Sequence, residues 1–188
     1  MEPRFHGTTI LAIRRNGKGA IGGDGQLSYG ETVVKARGKK IRRLHEGKVL
    51  AGFAGGVADA LTLFDLFEKK LSEYHGDITR AAIELAKEWR MDRSLRRLEA
   101  DLLVMNKENI FLISGQGEIL EPDDDVVGLG TGGAYALAAA RALLAHSSLE
   151  AVEIAREAMK IAASICLYTN EQIIIHQIGE KSKNGNGN

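Results

Sequence analysis

Gly7-Thr8-Thr9-Ile10 holds the side chain best suited to unaided nucleophilic chemistry. If the Gly7–Thr8 bond is cut, Thr8 carries a hydroxyl nucleophile and, on the same residue, a free α-amine able to act as its base. The same residues also read as the start of an ordinary β-strand, because Thr8-Thr9 runs directly into Ile10, Leu11, Ala12 and Ile13. Rival nucleophiles are missing from the sequence. It contains no GxSxG elbow. His6, His45, His75, His146 and His176 show neither HxxxH nor HExxH spacing, which argues against a catalytic metal. Cys166 falls on the apolar stripe of a predicted helix with no histidine close in sequence, and reads as inert core.

Two polar residues could serve such a nucleophile. Asp24 lies in Gly22-Gly23-Asp24-Gly25, where the glycines suit a close backbone approach; the same aspartate is equally at home in a solvated turn. Lys40 sits in a basic run, Lys35 to Arg43, and the alternation of a strand would turn it inward with Lys39 and Ile41 outward. The run has no interleaved aromatics, so a solvated or assembly-facing strand fits it better than a nucleic-acid surface. Gly128-Leu-Gly-Thr-Gly-Gly133 matches the dinucleotide fingerprint formally. Only one further strand follows it, so the βαβ context is missing and Thr131 reads as a turn residue.

The elements that must position these residues follow from periodicity. Asn16-Gly17 between two short apolar runs predicts a hairpin over 8–23. Val57, Ala60, Leu61, Phe64, Phe67 and Leu71 form one helical stripe. Gly76 breaks that helix, Asp77 caps the next, and Ile78, Ala81, Ala82, Leu85 and Trp89 form a second stripe. A meander of short strands spans 101–121, and Val126–Leu129 leads into a third helix over 134–145. A fourth helix is expected from Ser147, with Glu150 completing a capping box and Ile154, Ala155, Ala158, Ile161, Ala162 and Ile165 buried. Residues 172–178 give a last strand. This order is not βαβ alternation; it predicts an α+β fold, a four-layer αββα sandwich of two antiparallel sheets with a helix pair on each outer face.

Composition sets outer bounds. At 188 residues the chain fits one domain, running to about residue 180, with a polar, low-complexity tail at 181–188. Its 25 basic and 25 acidic side chains balance, so charge points to no polyanionic partner. One cysteine precludes an internal disulfide and favours a reducing compartment, the cytoplasm by default, and no signal peptide or membrane-length apolar run is present.

Together, Thr8-Thr9-Ile10, Arg14-Arg15-Asn16-Gly17, Gly23-Asp24-Gly25-Gln26, Lys39-Lys40-Ile41-Arg42-Arg43, Ala51-Gly52-Phe53-Ala54-Gly55, the Glu84–Arg90 helix and Ile165–Asn170 resemble the HslV family. These are the proteasome-like peptidase subunits of bacterial ATP-dependent HslUV proteases. The resemblance runs from about Thr8 to Ile178 and implies an N-terminal-nucleophile hydrolase with a proteasome-β-like fold. It implies that Thr8 is the catalytic threonine and that 1–7 is a propeptide removed by self-cleavage. By the same resemblance Asp24 and Lys40 are the carboxylate and lysine beside it, and the Gly52 amide forms the oxyanion hole. Thr131 stands where the family usually has a serine in the hydroxyl network around the terminal amine. Ala163, Cys166 and Thr169 match positions whose backbone carbonyls bind a monovalent cation, Na+ by expectation. No organic cofactor is implied, and ATP is used by the partner only. The implied partners are further copies of the chain in stacked hexameric rings forming a dodecamer, the HslU ATPase, and unfolded protein substrates, with no nucleic acid and no membrane. Two other readings share these residues: a non-catalytic subunit of the same fold, and a small-molecule amidase.

Overall fold

The computed structural model describes residues 5–6, 9–92 and 98–179; Thr8, the rest of the 1–7 segment and the 181–188 tail lie outside the described residues. In chain order the first strands are β1 (Phe5–His6), β2 (Thr9–Arg15), β3 (Lys18–Gly23), β4 (Leu27–Tyr29), β5 (Thr32–Lys35), β6 (Ile41–Leu44) and β7 (Val49–Gly55). Helices α1 (Val57–Glu73) and α2 (Ile78–Met91) follow. Then come β8 (Ala100–Met105), β9 (Ile110–Ile113), β10 (Ile119–Leu120) and β11 (Val126–Gly130). Helices α3 (Gly133–His146) and α4 (Ala151–Ile165) precede the last strand, β12 (Ile174–Ile178).

The opening hairpin forms as its turn chemistry demands. Asn16 and Gly17 have φ of 54° and 73°, the two positive values a tight type I′ connection requires. Pairing β2 with β3 in the register Ile10↔Gly23 to Arg15↔Lys18 leaves β11 on the free edge of β2 and β12 on that of β3. The result is a four-stranded antiparallel sheet, β11-β2-β3-β12. The second sheet, β10-β9-β8-β7-β6, is the expected meander extended by β7 and β6.

Three apolar layers make the sandwich. Ile10, Ala12 and Ile21 meet Ile41, Leu50 and Leu103 between the sheets. On one outer face Leu11, Ile13 and Ala20 meet Ile154, Ala158 and Met159 of α4. On the other, Phe53, Leu102 and Val104 pack beneath Phe64, Phe67 and Trp89 of α1 and α2. Residues Thr9 to Ile13 are buried on both faces of their sheet, which is why that stretch is a continuous apolar run and not an alternating one. Among the described residues no helix is long and apolar enough to cross a membrane.

The structure corrects several expectations. A third, small sheet, β1-β4-β5, stands apart from the sandwich, and β5 is exposed at every position. The basic run is split between β5 and β6; Lys40 precedes β6, and Ile41 is buried beside it instead of facing outward. Val57 and Leu61 are exposed on α1, and Leu63 takes the buried row. On α4, Ile161 and Ile165 face out while Ala151 and Met159 are buried. In both helices a period of 3.6 permits two adjacent rows, and the tilt against the sheet selects one. The α4 cap lies three residues later than expected: Glu150 is the N-cap, in a reciprocal box with Glu153, and the Ser147 hydroxyl instead donates to Leu143 O at the end of α3. The Asp77 cap is as expected, accepting from Arg80 N at 2.9 Å.

Candidate active site

Strand β2 opens on Thr9, which is wholly buried. Its backbone N–H donates to Asp24 Oδ1 at 2.9 Å. Because β2 and β3 pair with Ile10 opposite Gly23, the next residue out of β3 is delivered beneath the start of β2; this residue is Asp24. The same Oδ1 accepts from Lys40 Nζ at 2.9 Å, and both side chains are almost fully buried. The second carboxylate oxygen accepts from Gln26 N at 2.9 Å and Asn170 N at 3.3 Å. Asp24 is thus no solvated turn residue. Three backbone amides and an ammonium satisfy it, the condition under which a buried carboxylate is tolerated.

Lys40 is held from the other side of the sandwich. Its carbonyl accepts from Phe53 N at 3.2 Å, tying the residue before β6 to β7. Burial pulls its ammonium below the ordinary value of 10.5, and the charge of Asp24 and the hydrogen bond to it oppose that pull. Gly52, one residue before Phe53, lies on β7 opposite Ile41 and Leu103. A Cβ built on it would come within 3.0 Å of Ile10 Cγ2, so Gly52 lies against β2 one residue beyond Thr9.

A hydroxyl cluster that the sequence did not announce completes the site. Thr9 Oγ1 lies 2.6 Å from Thr169 Oγ1 and accepts from Gly132 N at 3.0 Å. Gly132 precedes α3, so an N-terminal amide of that helix is aimed at the Thr9 hydroxyl. The glycines that mimicked a dinucleotide fingerprint have a packing role: a side chain on Gly128 would collide with the Gly133 carbonyl. Thr131 is exposed in the same turn, adjacent to Gly132. A Cβ on Gly132 would overlap both threonine hydroxyls. Gly132→Ala is therefore expected to cost about 1–3 kcal/mol of stability. Thr131→Ala, at an exposed position of the same turn, should cost less, a ranking that thermal unfolding would check.

The segment after α4 closes the site from below. Cys166 caps the helix, and its carbonyl accepts from Thr169 N at 3.1 Å. Ala163 lies in the last turn, where helical carbonyls run out of intrahelical partners. The described residues contain no cluster of three His, Cys, Asp or Glu side chains able to hold a metal. A donor set of carbonyl oxygens from Ala163, Cys166 and Thr169 fits a hard monovalent cation and would not select a soft one.

Of the residues singled out from sequence, the fold brings Asp24 and Lys40 into contact and sets Gly52 on the adjoining strand. Thr8 itself is outside the described residues. Thr9, Gln26, Thr169 and Asn170 were missed as site side chains or amides. For the last two, no periodicity marks them; only the chain reversal after α4 takes Thr169 to Thr9 and Asn170 to Asp24.

Known proteins share this sequence pattern and fold. The proteasome subunit family matches residues 4–178. The ATP-dependent protease subunit HslV of Petrotoga mobilis is 60% identical over 174 residues, covering 93% of this chain and 98% of its own. Among solved structures, eukaryotic HslV from Trypanosoma brucei superposes with a TM-score of 0.86 at 44% identity, over 92% of this chain and 99% of its own. Thiobacillus denitrificans BPH shares the fold, with a TM-score of 0.71 at 22% identity, over 93% of this chain and all of its own. An αββα sandwich with a buried Asp24–Lys40 pair under the first residues of β2, and relatives this similar over nearly the whole length, place the chain in the proteasome subunit family and, within it, in the HslV group.

Proposed function

We propose that the chain is the threonine-type endopeptidase subunit of an ATP-dependent protease and that Thr8, freed by autocatalytic removal of residues 1–7, is its nucleophile. The observation that carries this reading is one oxygen: Asp24 Oδ1 holds both Lys40 Nζ and the very amide that joins Thr9 to Thr8. The ammonium is thereby fixed on the same oxygen as the Thr9 amide, the first group of β2 after the proposed base.

An unperturbed α-amine titrates near ~7.7–8.0, and a neighbouring ammonium lowers that value by like-charge repulsion, leaving the amine neutral at working pH. The Thr8 amine takes the proton from its own hydroxyl as the oxygen attacks a peptide carbonyl. The Gly52 amide stabilises the oxyanion, a contribution of roughly 3–4 kcal/mol in other hydrolases. The amine then protonates the departing peptide amine, an ester remains on Thr8, and water releases it. Thr131 contributes its hydroxyl beside the amine. The backbone carbonyls of Ala163, Cys166 and Thr169 would hold a monovalent cation, Na+ by preference, whose charge would hold the chain reversal after α4 together.

The assembly that goes with this chemistry is a pair of stacked hexameric rings in the cytoplasm, fed with unfolded protein by the HslU ATPase, which alone consumes ATP. Intact-mass measurement and N-terminal sequencing of the assembled, ATPase-supplied protein test the reading. A chain beginning at Thr8 is expected; residues 1–7 still attached would overturn it.

A further inference from the structure

Asn170 is half-buried in the segment after α4, and its carboxamide bonds through both its oxygen and its nitrogen. Oδ1 accepts from Gln172 N at 3.1 Å and from Gly25 N at 3.2 Å, and Nδ2 donates to Ala36 O at 3.0 Å. The first of these is a local turn two residues on, of the kind asparagine often makes. The other two are long-range. Gly25 is the residue between Asp24 and Gln26, whose amide holds Asp24 Oδ2, and Ala36 begins the five-residue segment that ends at Lys40. Gly38 N donates to Gly25 O at 2.7 Å, so these two segments also run against each other. Neither 24–26 nor 36–40 belongs to a strand, so no sheet ladder sets their spacing.

We infer that Asn170 is a positioning residue for the proposed reaction: its carboxamide staples the Asp24 turn to the Lys40 segment and so sets where the lysine charge lies relative to the Thr8 amine. The requirement is for an acceptor and a donor on one short planar group. Aspartate lacks the donor for Ala36 O, alanine lacks both, and glutamine carries its amide one methylene too far. The inference rests on the peptidase reading above, and it adds a residue that touches neither substrate nor the reacting atoms. Its consequence is electrical as much as geometric. If the staple is lost, Lys40 drifts, its repulsion on the amine weakens, and the amine pKa rises toward its ordinary ~7.7–8.0.

The test compares Asn170→Ala with Asn170→Ser in the assembled protein, by pH profiles of kcat/KM on a short fluorogenic peptide. Serine can keep the local bond to Gln172 N, as hydroxyls do in such turns, but cannot reach Gly25 N and Ala36 O together. Both variants are expected to lose about ten- to a hundredfold in kcat with KM little changed, as displacement of a catalytic group does. In both, the acid limb of the profile should move to higher pH. Loss of folded protein lowers the amplitude without moving the limb. The inference is overturned if the limb stays in place in both variants, or if serine restores the wild-type profile and so shows that only the local turn matters. A Lys40→Ala control separates this from the reading beneath it: if Lys40→Ala keeps full activity, the peptidase reading itself fails, whatever Asn170 does.

Discussion

Thr8→Ala is expected to leave a folded, assembled chain that hydrolyses no peptide, with kcat down by at least about three orders of magnitude. Alanine removes the only hydroxyl on that residue and leaves nothing for the amine to activate. The second part of the expectation is more specific. In the proposed mechanism self-cleavage at Gly7–Thr8 uses the same hydroxyl, so the variant should retain residues 1–7, whereas a variant damaged elsewhere in the site should release them slowly. Thr9→Ala is the necessary contrast. Thr9 is hydrogen-bonded to Thr169 and Gly132, and it is the residue after Thr8. If Thr9 were the nucleophile, its substitution would abolish hydrolysis and Thr8→Ala would not. Intact mass and initial rates on the two variants decide the matter.

Asp24 and Lys40 are expected to differ sharply from each other, although they form one ion pair. Asp24 carries three backbone amides in addition to the ammonium. Asp24→Ala strands all of these in the interior and should cost about 3–5 kcal/mol, the usual penalty for leaving a buried charge without its partner. Hydrolysis should fall with it. In Lys40→Met the carboxylate keeps its three amides, so the fold should survive with a smaller loss, of the order of 1–3 kcal/mol. Activity should still drop by about two orders of magnitude or more, because the amine loses the charge that keeps it neutral. Unfolding midpoints and kcat/KM measured together would separate the two roles; equal stability losses for both variants would contradict this account of Asp24.

The direction of the Lys40 shift adds a pH expectation. Its value in the folded protein lies below the unfolded 10.5, so between the two values the unfolded chain binds more protons and stability rises with pH. Below the folded value the cost of burying the ammonium is fully present; it is relieved as pH climbs toward 10.5. Activity runs the other way on that limb. As Lys40 loses its proton, its effect on the amine disappears, so the alkaline decline should begin below 10.5 and vanish in Lys40→Met.

Much of the architecture was legible along the chain because it rests on short-range rules. Asn16-Gly17 could turn only one way, Gly76-Asp77 ended one helix and capped the next, and the order of strands and helices excluded a doubly wound sheet. The errors have a common cause. Val57, Leu61, Ile161 and Ile165 lie on rows beside the true stripes, and periodicity alone cannot say how a helix is rotated on its sheet. The Ser147 cap was displaced to Glu150 because two overlapping boxes were available and the packing of α4 chose between them. The small sheet β1-β4-β5 left almost no pattern, since β5 buries nothing.

The site divides along the same line. By itself the sequence determined that one threonine near the start could be both nucleophile and base, that no rival existed, and that Asp24, Lys40 and Gly52 were the residues to serve it in a chain resembling the HslV family. Those are properties of residue type and local order. It did not show that Gly52 lies mid-strand, paired on both sides within β7. Tertiary structure alone decided that Asp24 reaches the Thr9 amide and Lys40 through one oxygen, that Gly132 of the α3 turn and Thr169 of the post-α4 segment meet on the Thr9 hydroxyl, and that Asn170 spans Gly25 and Ala36. Each of these contacts joins residues far apart in the chain, and their spacing is fixed by two sheets closing face to face, a constraint that no stretch of sequence carries on its own.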